Sequence, residues 1–465
     1  MAGDTELGLA RSELFIPLLQ RQFDEDQTVA GATGVCWRMD FSPSPLALAL
    51  RQQLEAFLQR YLLPYNAAWH RSVQEGFYPP PFLADLKALA REQGLWNLFL
   101  PSLRTDEPGT AVGPLDYAPL AEVMGRLPWA SEVFNCSAPD TGNMELLHLF
   151  ATPGQHADWL LPLLEGRIRS AFAMSEPDVA SSDPTNLQTT VRRDGGELVL
   201  NGRKWFITGA AHPDCRLLIV MCRNDGAGDK EAHHRHSMVL VPLATAGVTV
   251  VRNISVVHHL APEGHCEILL RDVRVPAANL LGGWGEGFAM AQARLGPGRV
   301  HHCMRTIGQC ELALELMAER ALERITFGKH LSEFANVQDW IAESRIEIDQ
   351  ARLLVLHTAW LLDRGNVEPA RLRAQVAAIK VVAARLQTRV VDRAMQVFGA
   401  MGLSPDTPLA GFWTWGRALQ LMDGPDEVHL RTVARYELAQ ARARLGVTAA
   451  YYTTPEQLLA EPRIR

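Results

Sequence analysis

The sequence predicts an α+β protein in three parts: an N-terminal helical domain, a middle antiparallel β domain and a C-terminal four-helix bundle. Three observations carry this. Apolar residues recur at three- and four-residue spacing from Pro45 to about Phe150, short β-rich runs separated by turn residues fill 189–275, and long helical stripes return after Gly287. At 465 residues the chain exceeds one ordinary core, so division into domains is expected. The boundaries are placed at 43–167, 168–283 and 284–446, with an extension over 1–42 and a tail over 447–465.

Taken in order, the extension holds a short amphipathic stretch, Leu14 to Leu19, before the loop signals Gly31-Ala-Thr-Gly34 and Ser42-Pro-Ser-Pro45. The first helix follows from Leu50, Leu54, Phe57, Leu58 and Tyr61. A second runs near Pro81 to Gly94, and others lie around Tyr117–Met124 and Thr141–Phe150. The β runs are Thr189–Arg193, Glu197–Leu200, Arg216–Cys222, Ser237–Pro242, Val248–Asn253 and Cys266–Val275. Gly195-Gly196 predicts a hairpin turn and Asn201-Gly202 another tight turn. In the last part, Ile307, Leu314, Met317 and Ala321 form one stripe, and Ile341, Ile348, Leu353 and Leu356 a second. Ile379, Val382, Leu386, Val390 and Val397 form a third, and a final helix runs from after Asp423-Gly-Pro to about Leu445. Short connections between such helices imply an antiparallel bundle. The stripes are broad, which predicts further burial against another subunit.

Composition narrows the function. A content of 47% hydrophobic and 21% charged residues is an ordinary globular balance. The net charge of −7 argues against a dedicated nucleic-acid or anionic-membrane binder, while leaving room for a local basic pocket. Seven cysteines form no C-x-x-C pair, as expected of buried thiols in a reducing compartment. No apolar run reaches the length of a membrane span, and the start, with Asp4 and Glu6, lacks the order of a signal peptide. A cytoplasmic protein is expected.

Several motifs have bland readings. Gly282-Gly-Trp-Gly-Glu-Gly287 lacks the Lys-Ser/Thr of a phosphate loop and is better taken as a flexible linker. His233, His234 and His236 sit in a polar stretch without ligand spacing, so no metal is expected. Asp426 and Glu427 follow Gly424-Pro425 as acids in the first turn of a helix. Asp423, just before it, is either a cap or a base presented into a cavity, and local sequence leaves both open. No Gly-x-Ser-x-Gly elbow is present.

Five ordered segments then add a resemblance. They are Phe172-Ala-Met-Ser-Glu-Pro177 with the following Asp-Val-Ala-Ser-Ser-Asp183; Asn201-Gly-Arg-Lys-Trp-Phe-Ile-Thr-Gly209; Glu323-Arg-Ile-Thr-Phe-Gly-Lys329; Met395-Gln-Val-Phe-Gly-Ala-Met-Gly402; and Met422-Asp-Gly-Pro. Together, over about residues 45–445, they resemble the acyl-CoA dehydrogenase family. The resemblance implies FAD as cofactor, with Phe172, Met174, Ser175, Phe206, Ile207 and Thr208 around the flavin ring. It implies Arg324 and Thr326 for the pyrophosphate, Phe327 and Phe334 as further cofactor-binding residues, and Gln396, Gly399 and Gly402 reaching the FAD of a neighbouring subunit. Ser182, Arg299 and Gly424 are matched to the acyl-CoA site, and Asp423 stands where most members have a Glu base. Phe206 replaces a usual Trp, Ala400 a Gly and Ala335 a Gln. The implied reaction is removal of the proton alpha to a thioester, with hydride leaving the β-carbon for the flavin. The implied partners are an acyl-CoA substrate, an electron-transferring flavoprotein and further copies of the chain, as a dimer or tetramer.

The runs Gly296-Pro-Gly-Arg-Val-His-His302 and Asp423-Gly-Pro-Asp-Glu-Val-His429 resemble a subgroup whose animal members are large, some fused to a kinase-like domain. That subgroup is linked to acyl-CoAs bearing a phosphorylated 4-hydroxyl group. His301 and His302 are better read as packing histidines than as phosphate contacts. Two alternatives stand beside the dehydrogenase: a flavin oxidase of the same fold acting on a nitroalkane, and a catalytically silent flavoprotein or CoA-binding scaffold in which Asp423 is only a cap.

Overall fold

Ser44 opens the first helix, α1 (Pro45–Phe57): its hydroxyl accepts the Ala47 N–H at 3.1 Å, and Pro45 sits where a missing N–H costs nothing. The computed structural model describes residues 39–226, 232–452 and 454, so the Leu14–Leu19 stretch, most of the expected extension and most of the expected tail lie outside the described residues. Through a π turn and a 3-10 turn α1 leads into α2 (Asn66–Gln74), which the sequence did not mark. Then come α3 (Phe82–Glu92), α4 (Pro114–Gly125), the short α5 (Ala130–Val133) and α6 (Asp140–Phe150). Short helical turns between Pro153 and Leu164 end this part.

The middle part is one eight-stranded sheet. Its strands are β1 (Arg169–Ala173), β2 (Thr190–Asp194), β3 (Glu197–Thr208), β4 (Cys215–Asn224), β5 (His236–Pro242), β6 (Val248–Asn253), β7 (His265–Pro276) and β8 (Leu280–Leu281). They lie in the order β6-β7-β3-β2-β4-β5-β8, with β1 also on β4. Most pairs are antiparallel, but β1 and β2 each pair with β4 in parallel. Long connections separate these pairs in sequence, and parallel pairing requires such crossovers. β4 alternates cleanly: Leu217, Ile219 and Met221 enter the core shared with the N-terminal helices, while Leu218, Val220 and Cys222 enter a second core on the other face. A strand buried on both faces is apolar throughout.

Three turn or loop expectations are corrected. Asn201-Gly202 is not a turn but an irregularity inside β3, where the register against β7 shifts. A Cβ at Gly202 would lie 2.3 Å from the Thr189 hydroxyl, so the glycine permits close approach instead of reversal. His236 is not in a solvated loop; it begins β5 and is buried. The 282–287 segment is likewise no slack tether. The Gly285 N–H donates to the Ser237 hydroxyl at 3.0 Å, and a Cβ on Gly287 would lie 2.9 Å from the His236 backbone.

The last part comprises α7 (Gly287–Glu323), the hairpin β9 (Ile325–Thr326) and β10 (Lys329–His330), α8 (Ala335–Arg364), α9 (Pro369–Phe398), α10 (Leu409–Leu419) and α11 (Asp426–Ala443). The long helices α7, α8, α9 and α11 are those expected; α10, a shorter helix, is inserted before the last. Ile307, Leu314, Met317 and Ala321 of α7 meet Ile348 of α8 and Leu386, Val390 and Val397 of α9 in one core. Leu353 and Val382, assigned to the same stripes, instead face outward. α7 also crosses α4 closely: a Cβ at Gly308 would fall 1.9 Å from the Glu122 carbonyl oxygen, and one at Gly125 would fall 2.1 Å from that of Arg305.

Candidate active site

Asp423 lies in the short connection between α10 and α11, in the left-handed region at φ 52°, followed by Gly424 at φ 100°. For a residue with a Cβ this costs on the order of 1–3 kcal/mol, so the surroundings must hold it. They do so through carbonyls. Arg299 Nε of α7 donates to the Asp423 oxygen at 2.9 Å, and His429 Nε2 of α11 lies 3.2 Å from the same oxygen. A carbonyl only accepts, so the His429 proton sits on Nε2. Lys380 Nζ of α9 donates to the Gly424 oxygen at 2.9 Å and also to the Leu419 oxygen. A Cβ at Gly424 would lie 2.9 Å from His429 Nε2, so only glycine lets that ring approach. With both carbonyls engaged, the Asp423 N–H meets no acceptor among the described residues.

The Asp423 side chain is 24% exposed, open enough to meet a ligand. Its Oδ2 lies 3.4 Å from His302 Nε2. Burial would raise its pKa, but His302, Arg294, Arg299 and Lys380 outweigh this and hold the carboxyl below its usual range. Burial also depresses the cationic forms around it: Lys380 to about 8, His302 to about 4 and His429 to about 4. At neutral pH the centre is therefore a carboxylate facing neutral imidazoles and fixed guanidinium and ammonium charge.

Lys204 stitches together two of the expected cofactor segments. From β3 its Nζ donates to the Met174 oxygen at 2.9 Å, the Met221 oxygen at 2.7 Å and Glu176 Oε1 at 2.8 Å. The Trp205 N–H donates to the Ser175 oxygen at 3.0 Å. This places Phe172, Met174 and Ser175, at and beyond the end of β1, beside Phe206, Ile207 and Thr208 at the end of β3. Phe206 is also left-handed, at φ 51°, and exposed. Ile207 points into the sheet core, leaving only its backbone for a ligand. The Thr208 hydroxyl lies 3.0 Å from His265 Nδ1. The His265 ring is 6.4 Å from Trp415, and Trp415 is 6.4 Å from His302, so this group opens toward Asp423.

The remaining expected residues fall elsewhere. Arg324, Thr326 and Phe327 form the β9–β10 hairpin beyond α7, with Phe334 beside it under Lys329 Nζ at 4.0 Å. Phe327 is 94% exposed and left-handed, at φ 49°. Gln396 and Gly399 are exposed at the end of α9, while Gly402 is buried, where a Cβ would lie 2.7 Å from the Met395 oxygen. The stretch of α7 from His302 to Glu323 is on the order of 30 Å long. One chain thus holds two separated groups. Ser182 is exposed in the loop after β1.

The donor set suits the implied cofactor. Phe172 and Phe206 offer flat apolar walls. The Ser175 and Thr326 hydroxyls, the Arg324 guanidinium and the Gln396 amide make no hydrogen bond within the protein among the described residues, so cation and donors are available for a pyrophosphate. No group of three or more His, Cys, Asp or Glu side chains that could hold a metal occurs among the described residues.

Sequence reasoning passed over Lys380, His429, Arg294 and His265 as site residues and favoured packing for His302. Packing does describe His301, which edges Phe99 and Tyr117. A signal for Lys380 was present: a lysine beside Ile379 interrupts an otherwise apolar stripe.

Comparison with known proteins follows the same outline. Residues 171–273 match the family model for the acyl-CoA dehydrogenase middle domain, and residues 285–438 that for the C-terminal domain. The chain is 51% identical to FadE2, an acyl-CoA dehydrogenase of Mycobacterium tuberculosis, over 87% of this chain and 98% of that one. It is 46% identical to acyl-CoA dehydrogenase family member 11 of Gallus gallus over 84% of this chain, but spans only 50% of that longer protein. A solved acyl-CoA dehydrogenase from Mycobacterium abscessus is 47% identical with a TM-score of 0.82, covering 86% of this chain and 99% of that one.

Proposed function

The chain belongs to the acyl-CoA dehydrogenase family and is an FAD-dependent oxidoreductase, and from that premise we propose that it converts an acyl-CoA to its 2,3-enoyl-CoA with Asp423 as the base. The observation that carries the reading is an ionised, part-exposed carboxylate beside its own unengaged backbone N–H. A thioester loses its alpha proton readily only if charge developing on the carbonyl oxygen is stabilised. The Asp423 N–H suits that oxygen, while the carboxylate of the same residue takes the proton. Arg299, His429 and Lys380 fix the peptide that carries both groups. FAD, when bound, supplies the acceptor for the hydride that leaves the β-carbon. Phe172, Met174 and Phe206 wall the reacting region from water, and Ser175 and Thr208 offer hydroxyls at its edge. Asp is one methylene shorter than the usual Glu, roughly 1.5 Å of reach, so the acyl chain must sit correspondingly closer.

The separation of the two cofactor groups along α7 supports a site completed by a second copy, with Arg324, Thr326, Phe327, Phe334, Gln396, Gly399 and Gly402 serving the neighbour. Outward-facing Leu353, Val382 and Phe327 support a homodimer or tetramer. An electron-transferring flavoprotein is the proposed electron acceptor. The Arg294, Arg299 and Lys380 charges favour acyl-CoAs with an anionic substituent, in keeping with the 4-phosphoacyl substrates linked to the resembling subgroup. The six described cysteines are buried free thiols, which supports a cytoplasmic setting, and no helix among the described residues is long and apolar enough to cross a membrane.

The Asp423 carboxylate makes no capping bond to α11, which weighs against the scaffold reading. Anaerobic mixing with a panel of acyl-CoAs, 4-phosphoacyl forms included, tests the rest. Asp423→Asn keeps the amide and the shape, so it should bind acyl-CoA yet lose flavin reduction at the upper end of the roughly 10²–10⁴-fold typical of a general base. Asp423→Glu should also slow reduction by misplacing the carboxylate. Near-normal bleaching by Asp423→Asn would sink the assignment. Turnover of a nitroalkane with oxygen, without bleaching by any acyl-CoA, would favour the oxidase.

A further inference from the structure

His302 has a partner on each ring nitrogen, and the two partners differ in kind. Arg305 Nη2 lies 3.1 Å from Nδ1, and the Asp423 Oδ2 lies 3.4 Å from Nε2. A guanidinium has donors only, so Nδ1 must be the bare, accepting nitrogen, and the ring proton must sit on Nε2, the nitrogen 3.4 Å from the carboxylate oxygen. Arg305 is itself placed: its Nη1 donates to the Cys136 oxygen at 3.3 Å, and its backbone oxygen is pressed against Gly125 of α4. The relay therefore begins in the N-terminal helices and ends at Asp423.

We propose that His302 is a positioning residue for Asp423, a donor whose tautomer Arg305 dictates and whose Nε2–H engages Oδ2 so that Oδ1 alone is left to take the substrate proton. No proton passes to His302; its ring nitrogens are committed to Arg305 and Asp423. The inference rests on the reading of Asp423 as base. Three features fit it. His302 and Arg305 are one turn apart on α7 and so share a face. Burial keeps the ring uncharged at neutral pH, with Arg305 adding to the effect, so it orients the carboxylate without pairing with it as an ion. Asp423 is shorter than Glu and lacks one rotatable bond, so a single lateral donor suffices to choose its rotamer.

The titratable groups facing Asp423 are the cations Arg294 and Arg299 on α7 and Lys380 on α9, the neutral imidazoles of His302 on α7 and His429 on α11, and the Cys303 thiol on α7; Arg305 faces it only through His302. Removing the Nε2–H while keeping these cations should destabilise the charged carboxylate. His302→Phe fills the ring volume without a donor. The acid limb of the pH profile of flavin reduction should then move to higher pH by roughly one unit, a tenfold loss of rate on that limb. His302→Gln, whose amide N–H has similar reach, should return the limb toward the wild-type position. A purely packing role would lower FAD retention or thermal stability in both variants and leave the limb in place. An unmoved limb in His302→Phe, or no recovery with Gln, overturns the proposal. If Asp423→Asn reduces normally, the base reading falls first; if Asp423→Asn is inactive and the His302→Phe limb is unmoved, only the present inference falls. Nitrogen-15 NMR of the wild-type ring, assigned by its loss in His302→Gln, needs no folded Phe variant: protonated Nε2 and bare Nδ1 are expected at neutral pH. A protonated Nδ1 there overturns the proposal.

Discussion

Three site candidates, Phe206, Phe327 and Asp423, are among the eight non-glycine residues in the left-handed region of the described chain. Strain of this kind persists only where neighbours over-determine it, and at Asp423 those neighbours are Arg299, His429 and Lys380. The fixed charges of Arg294, Arg299 and Lys380 have a measurable consequence. The carboxyl is held below its usual range before substrate arrives, so the acid limb of kcat/KM, which reports the free enzyme, should lie below the ordinary aspartate value of about 3.9. An apolar thioester that seals the pocket removes water and raises the pKa. The acid limb of kcat should therefore lie at higher pH than that of kcat/KM. Rapid pH-jump kinetics of flavin reduction over a range of acyl-CoA concentrations measures both; coincident limbs would show that ligand sealing does not act on Asp423.

At the scale of elements, α7 does most of the positioning. Arg294, Arg299, His302 and Arg305 lie on its first half, and the core residues Ile307, Leu314 and Met317 follow. Its place is set by the crossing with α4, where Gly308 and Gly125 bring backbone against backbone. Gly308→Ala gives the new methyl no room, because its obstacle is the Glu122 carbonyl and not a flexible side chain. Overpacking costs typically about 1–3 kcal/mol, and more is expected here. Thermal melting should fall accordingly, and flavin reduction should slow as α7 carries Arg305 and His302 away from Asp423. An alanine variant with unchanged melting would show that the crossing relaxes freely. Open surroundings at Gly296 and Gly298 on the same helix make them the matched controls.

For the whole molecule, the length of α7 separates Asp423 from Arg324 by more than one cofactor's ring-to-pyrophosphate reach. Arg324→Ala should weaken FAD retention, because a pyrophosphate loses a charge-assisted partner. If the two groups serve different copies, co-assembled Asp423→Asn and Arg324→Ala subunits should regain activity that neither homo-oligomer has. In a mixed pair, one site combines the intact Asp423 of one chain with the intact Arg324 of the other. Co-expression with distinct tags, followed by tandem purification and FAD and activity assays, measures this. No gain in the mixed species would place both groups in one chain's site.

Periodicity and turn residues by themselves determined the succession of helices, sheet and helices, because apolar spacing of 3.6 or 2 is written locally. Asn201-Gly202 shows the limit: a tight-turn dipeptide is also what a close-packed irregular strand requires, and only the approach of Thr189 distinguishes them. Gly424 and the segment around it marked Asp423 for attention, yet cap and base stayed equivalent until the loop was seen held by three helices. His302, Lys380 and His429 lie up to 127 residues apart in the sequence, and each is unremarkable on its own helix. What joins them is a carbonyl and a carboxylate of one part-buried loop, each within reach of donors from other helices. Those are properties of the packed interior, where a buried donor must find its acceptor, and no single stretch of sequence contains them.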